Sequence, residues 1–185
     1  MMTIPDKAQN ILTFWFDELT PQQWFIKSDQ LDADIRTRFG DDVMRALGGR
    51  YDSWAGNAAS RLSLILLLDQ FTRNIYRNTP QAFAGDEMAC ALALRSVDDG
   101  TVAAEIEQSK RHFYLIPMMH SEELAIQDAS LPLFNQFANA QTADYAKRHR
   151  DIIARFGHFP HRNDSLGRPS TVEEQAFLSQ PGSSF

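Results

Sequence analysis

The chain has 185 residues, 43% of them hydrophobic and 13 of them phenylalanine, which is enough to fill a core and excludes global disorder. Its formal net charge is -6 and its pI is near 5.3, which argues against a general nucleic-acid or anionic-membrane binder. The length and the absence of a mid-chain shift in composition predict one domain spanning 1–185. Cys90 is the single cysteine, so no internal disulfide can form, which fits a reducing compartment. The opening "MMTIPDKAQN" lacks the basic segment, apolar stretch and cleavage site of a secretory signal. The longest apolar run, "LILLL" at Leu64 to Leu68, is far shorter than the ~20 residues of a membrane span. A cytoplasmic, soluble protein is the expectation.

Taken in order, almost every segment carries a helical pattern and none a strand pattern. Thr3 is placed to cap a first helix with Pro5 in its opening turn and Ile11, Leu12, Trp15 and Phe16 on its apolar face. "TPQQWF" predicts a short turn, with Thr20 as cap and Pro21 at the first helical position. Ser28 then starts a helix whose stripe is Leu31, Ile35, Phe39, Val43, Ala46 and Leu47, stopped by Gly48 and Gly49. In "NAASRLSLILLLDQFTRNIYRN" only Ser63 is polar between Leu62 and Leu68, the pattern of an enclosed central helix. A further helix is expected from about Pro80 to Val97, and another in "SKRHFYLIPMMH", ended or kinked by Pro117. Ser121 reads as the cap of the next, which Pro132 should bend, and "TADYAKRHRDIIARFG" as the last long helix, ended by Gly157. Ser170 and Glu173 have the three-residue offset of a capping box. The fold expected is all-α, one domain of about seven to nine helices. No repeat of about 34 residues emerges.

Three constellations carry chemistry-bearing side chains. In "DQFTRNIYR", Asp69, Arg73 and Arg77 recur every four residues along one helix face, with Gln70 and Asn74 beside them. Two guanidiniums in successive turns suit a carboxylate or phosphate, while an Asp69–Arg73 pair plus one solvated arginine is the plain alternative. In "MMHSEELAIQD", Ser121, Glu122 and Glu123 are explained by a helix start, yet His120 beside two carboxylates has the composition of a base or metal ligand. The third runs from Tyr145 to Arg168, with six Lys/Arg against two Asp in an otherwise acidic chain. His149 falls on the apolar face with Ile152, Ile153 and Phe156, which reads as a hydrogen-bonded core histidine. His158 and His161 form H-x-x-H in a proline-held loop with no cysteine pair, so no metal and no cofactor is expected. Phosphate-loop, nucleophile-elbow and zinc-protease motifs are all missing.

The strings "LSLILLLDQFTRNIYRNTPQAFAGD", "YLIPMMHSEELAIQD" and "HRDIIARFGHFPHRNDSLGRPSTVEEQAFL", with the early "ILTFWF", closely resemble the bacterial family catalogued as domain of unknown function 924. The resemblance covers essentially the whole chain and departs at Thr72, where the family more often has proline. It implies a tetratricopeptide-like helical superhelix and no activity. It also implies that the family's polar strings fall on Asp69, Arg73, Asn74 and Arg77, on His120, Ser121 and Glu122, and on His149, His161, Arg162 and Asn163.

Three functional readings follow. A binding module would grip a small anionic ligand or peptide with Asp69, Arg73, Asn74, Arg77, His149, His161, Arg162 and Asn163; nucleic acid and membrane are not expected partners. An enzyme would use His161 or His120 as general base, with Glu122 orienting it and arginines holding an anionic substrate. In the third, the polar strings pair with each other and brace helix ends. Common to the first two is a fold-back of "HFPHRND" that sets Arg162 or His161 near Asp69, Arg73 and Arg77, with Asp69 and Asp164 as counter-charges.

Overall fold

The computed structural model describes residues 4–183, and the elements among them are helices joined by turns and loops, with no strand. Helix α1 covers residues 6–18, a regular stretch Asp6–Leu12 followed by a wider turn Thr13–Glu18. Thr3, the expected first cap, lies outside the described residues, and Pro5 stands just before the helix instead of inside it. "TPQQWF" remains a turn: Gln23 Oε1 accepts from the Thr20 N–H at 2.8 Å, and Trp24 Nε1 donates to the Trp15 carbonyl at 2.7 Å. Helix α2, Asp29–Leu47, starts as expected, Ser28 Oγ accepting from the Leu31 N–H. It ends at Gly48, and Gly49 takes a left-handed φ of 73° that a side chain would oppose.

Helix α3 spans residues 58–75 and is capped by Asn57. Leu64 to Leu68 are at most 2% exposed, and α1, α2 and α5 (Gln108–Met119) all pack against α3. Its charged flanks are buried as well, Arg61 holding Asp99 at 2.7 Å. Removing a buried leucine loses transfer energy and leaves a cavity, so Leu66→Ala and Leu67→Ala should each cost ~2–5 kcal/mol in urea unfolding. A loss below ~1 kcal/mol at both would contradict this placement.

The segment from Pro80 to Val97 is two elements: a tight turn Pro80–Phe83 and α4, Asp86–Asp98. Gly85 separates them because a Cβ there would lie 2.2 Å from the Leu68 carbonyl oxygen, so only glycine allows so close an approach to α3. A single turn, Thr101–Ala104, leads to α5. Pro117 sits inside α5 and the helix continues two residues past it. Helix α6, Leu124–Phe137, begins later than expected: Glu123 holds the cap position, and Ser121 Oγ accepts from the Glu123 N–H at 3.1 Å. Pro132 lies within α6 without ending it. Helix α7, Ala140–Phe156, is capped by Asn139 and terminated by Gly157 at φ 74°. Helix α8, Val172–Leu178, has its capping box at Thr171 and Glu174, one residue after the pair expected; Ser170 Oγ instead accepts from Asn163 Nδ2 at 3.1 Å.

Most buried apolar side chains belong to one cluster centred on α3, with a smaller one formed by Ile152, Ile153 and Phe159. Phe159 is fully buried in that second cluster. It anchors the loop between α7 and α8 against the rest of the molecule.

Candidate functional site

The C-terminal half of α3, the start of α4, the end of α5 and the loop after α7 converge on one polar cluster. Asp69 lies on the wider turn Leu66–Phe71, where the backbone departs from regular α geometry. Its side chain is fully buried, and its Oδ1 faces His120 Nδ1 at 2.7 Å and Arg73 Nη1 at 3.0 Å. Its Oδ2 accepts from Gln70 Nε2 at 2.5 Å. Against the upward push of burial, Arg73 and His120 hold the carboxyl well below the usual range, so it is a carboxylate.

Arg73 makes a two-pronged contact with Asp86, the first residue of α4: Nη1 to Oδ1 at 2.8 Å and Nη2 to Oδ2 at 3.0 Å. The same Asp86 Oδ2 accepts from Arg162 Nη1 at 3.1 Å, and Arg162 Nη2 donates to the His120 carbonyl at 2.9 Å. Arg162 lies between the rings of Phe83 and Phe159, at 4.7 and 4.5 Å from their centroids. Burial, then the proximity of Arg73, pushes its guanidinium down to about 10. Planar carboxylate and planar guanidinium match in this way because Gly85 brings α4 hard against α3.

A second arm stabilises the loop. Glu122 Oε1 accepts from the Phe159 N–H at 2.9 Å, and its carboxylate takes two bonds from Arg168, at 2.8 and 3.0 Å. Burial works against it, but Arg168 and the Phe159 N–H keep Glu122 ionised below its ordinary value. Asn163 is fully buried at the base of the loop.

The expected fold-back is present, with Arg162 carried to Arg73 and Asp69, but its membership differs. Arg77 and Asn74 point away: both bind Asp32 of α2, Arg77 at 2.7 and 2.8 Å and Asn74 at 2.8 Å, and fasten the end of α3 to α2. Asp164 is exposed and the bridging counter-charge is Asp86. Asp86 ends the stretch "NTPQAFAGD", where a carboxylate in a helix's first turn has a sufficient local explanation. Glu122 does not orient His120, since it is engaged by Arg168 and Phe159; Asp69 takes that position. His149 is a core residue, with Nδ1 2.7 Å from the Tyr145 carbonyl and its ring 5.6 Å from Phe159; burial brings it down to about 3. His161 stacks near Phe159 and is brought down to about 4 by burial and Arg162. His158 is drawn off to Glu174, at 2.6 Å. Among the described residues no group of three or more His, Cys, Asp or Glu is arranged to hold a metal ion, and no helix is long and apolar enough to cross a membrane.

The family model for bacterial proteins of unknown function DUF924 matches residues 11–182. A solved structure of a protein of unknown function from Agrobacterium tumefaciens is similar, with 36% sequence identity and a TM-score of 0.87 over 94% of this chain and 97% of that one. No match was found among the curated proteins. The chain therefore belongs to the bacterial DUF924 family, whose function is unknown.

Proposed function

We propose that the chain is a binding module for a small anionic ligand, a carboxylate or phosphate carried by a metabolite or peptide, taken up between Arg73, Arg162 and the loop around His161 and Asn163. The observation that carries it is Arg162. The residue is 6% exposed, yet its Nε donor has no partner among the described residues; nor has Oδ1 of the fully buried Asn163 beside it. Buried polar atoms are nearly always hydrogen-bonded, so two neighbouring orphans beside two guanidiniums favour a polar occupant. In this reading the helices stack in tetratricopeptide-like pairs, supported by the packing of α5 on α6 and α6 on α7 through short loops, and the protein works in the cytoplasm.

The competing reading is bracing, favoured by Asp86, which already bridges both guanidiniums, with Asp69 as the second carboxylate on Arg73. Thermal unfolding with and without millimolar phosphate or succinate, at fixed ionic strength, separates them. An occupant at a hundred times its Kd stabilises the folded state by about 2.7 kcal/mol, so wild type and Arg77→Gln should melt several degrees higher with ligand. Arg162→Gln should gain much less. No response in wild type, or equal responses in all three, removes the binding reading.

A further inference from the structure

We infer that His120, held by Asp69, is a general base, and that the site hydrolyses a carboxylate-bearing ester or amide. The inference rests on the anion-binding reading for how substrate is held, but its geometry is separate. Both carboxylate oxygens of Asp69 are engaged, Oδ1 by His120 and Arg73 and Oδ2 by Gln70. An ionised carboxylate can only accept, so His120 Nδ1 carries the proton and Nε2 carries the lone pair. Nε2 has no hydrogen bond among the described residues, and it is not among the buried polar atoms lacking one; the side chain is 18% exposed. One ring nitrogen is thus fixed on a buried carboxylate and the other reaches solvent, the division of labour of an Asp–His pair.

The other histidines differ. His149 uses Nδ1 on the Tyr145 carbonyl inside α7, and His158 spends Nε2 on Glu174. The charged and titratable groups around His120 are His112 from α5 itself, Asp69 and Arg73 from α3, Asp86 from α4, His149 from α7, and His161 and Arg162 from the loop. Burial and Arg73 hold His120 below its ordinary value, so it is neutral and able to accept a proton at pH 7.

Among the described residues no serine, threonine or cysteine side chain hydrogen-bonds to Nε2. Ser121 Oγ accepts from the Glu123 N–H, Thr72 Oγ1 donates to the Leu68 carbonyl, and burial pushes the Cys90 thiol up to about 11. Water is then the nucleophile. Its oxygen bonds to the carbonyl carbon as Nε2 takes one of its protons, and the Asp69 carboxylate offsets the imidazolium that forms. Collapse of the tetrahedral adduct breaks the carbon–oxygen or carbon–nitrogen bond, and the imidazolium returns its proton to the leaving alcohol or amine. The products are an acid and an alcohol or amine, with His120 neutral again and no other reactant needed. The two guanidiniums supply selectivity by holding the substrate's carboxylate.

The test compares hydrolysis of 4-nitrophenyl acetate with that of 4-nitrophenyl hemisuccinate, which adds a carboxylate. Wild type should hydrolyse the hemisuccinate with kcat/KM at least about tenfold above the acetate, and His120→Gln should lose about 100-fold or more. Asp69 is a positioning residue. Asp69→Asn should lower kcat and move the acid limb of the pH profile to lower pH, because the carboxylate that favours the imidazolium is gone. His158→Gln should stay within about twofold of wild type, as its contacts lie elsewhere. Absence of hydrolysis, or hydrolysis unchanged in His120→Gln, overturns the proposal. Thermal stabilisation of wild type by succinate tells the two ideas apart: if wild type is stabilised but hydrolyses neither ester, only the catalytic inference falls, and if wild type is not stabilised, the binding reading falls too.

Discussion

Replacing Asp86 by alanine should destabilise the fold by ~3–5 kcal/mol, the cost of leaving buried charge uncompensated when one partner of an ion pair is removed. Asp86 is the bridge between Arg73 and Arg162, accepting three hydrogen bonds from them at 2.8–3.1 Å. Without it, two guanidiniums remain close together, Arg73 with Asp69 alone and Arg162 with only the more distant Glu122 and Asp69 carboxylates, and Arg162 is almost wholly enclosed between aromatic rings. Asp86→Asn keeps an acceptor oxygen but not the charge, so its loss should be intermediate. Urea unfolding of both variants measures this. A loss below ~1 kcal/mol for Asp86→Ala would mean that solvent already screens the pair.

The melting temperature should fall steeply between pH 7 and pH 4.5. His112, His149 and His161 are each held low by burial, to about 4, 3 and 4. In the unfolded chain they titrate near 6.5. From pH 6.5 down to about 4 the unfolded chain therefore binds more protons than the folded one, and stability drops as pH drops. Two pH units are worth at most ~2.7 kcal/mol per histidine; allowing for partial solvent access at His112 and His161, a total near ~4 kcal/mol follows, or roughly 8–16 °C for a chain of this size. The carboxylates act in the same direction only at lower pH: Asp99, held by Arg61, stays ionised to about 2. Calorimetry across the window checks this. A melting temperature constant from pH 7 to pH 5 would contradict the burial of these rings.

Helices were readable from the residues wherever a local signal decided them. The Leu31–Ile35–Phe39–Val43 stripe, the Ser28 cap, the Gly157 stop and the unbroken apolar run in α3 all act within a few turns of chain. Where two neighbours offered the same chemistry, the register slipped by one: Ser170 and Thr171 both carry a capping hydroxyl, and a tertiary bond to Asn163 took the first. Partners distant in sequence were not readable. Arg77 finds Asp32 across 45 positions, and Arg162 finds Asp86 across 76. The loop's return was legible because Phe159 needs apolar cover and Gly157 and Pro160 fix its direction. Which acid would meet it was not, since a carboxylate in the first turn of α4 has a sufficient local explanation. The orienting carboxylate of His120 was missed for the same reason: Glu122 is its sequence neighbour, while Asp69 lies 51 positions away.

The most direct test is electron density at the cluster in crystals grown with millimolar phosphate or succinate. The expected result is an anion within hydrogen-bond reach of Arg162 Nε, with Arg73 beside it and Asp86 turned aside or sharing the guanidiniums. Bridging of Arg73 and Arg162 by Asp86 alone, identical with and without the anion, would contradict a ligand site and leave the cluster as a brace between helices.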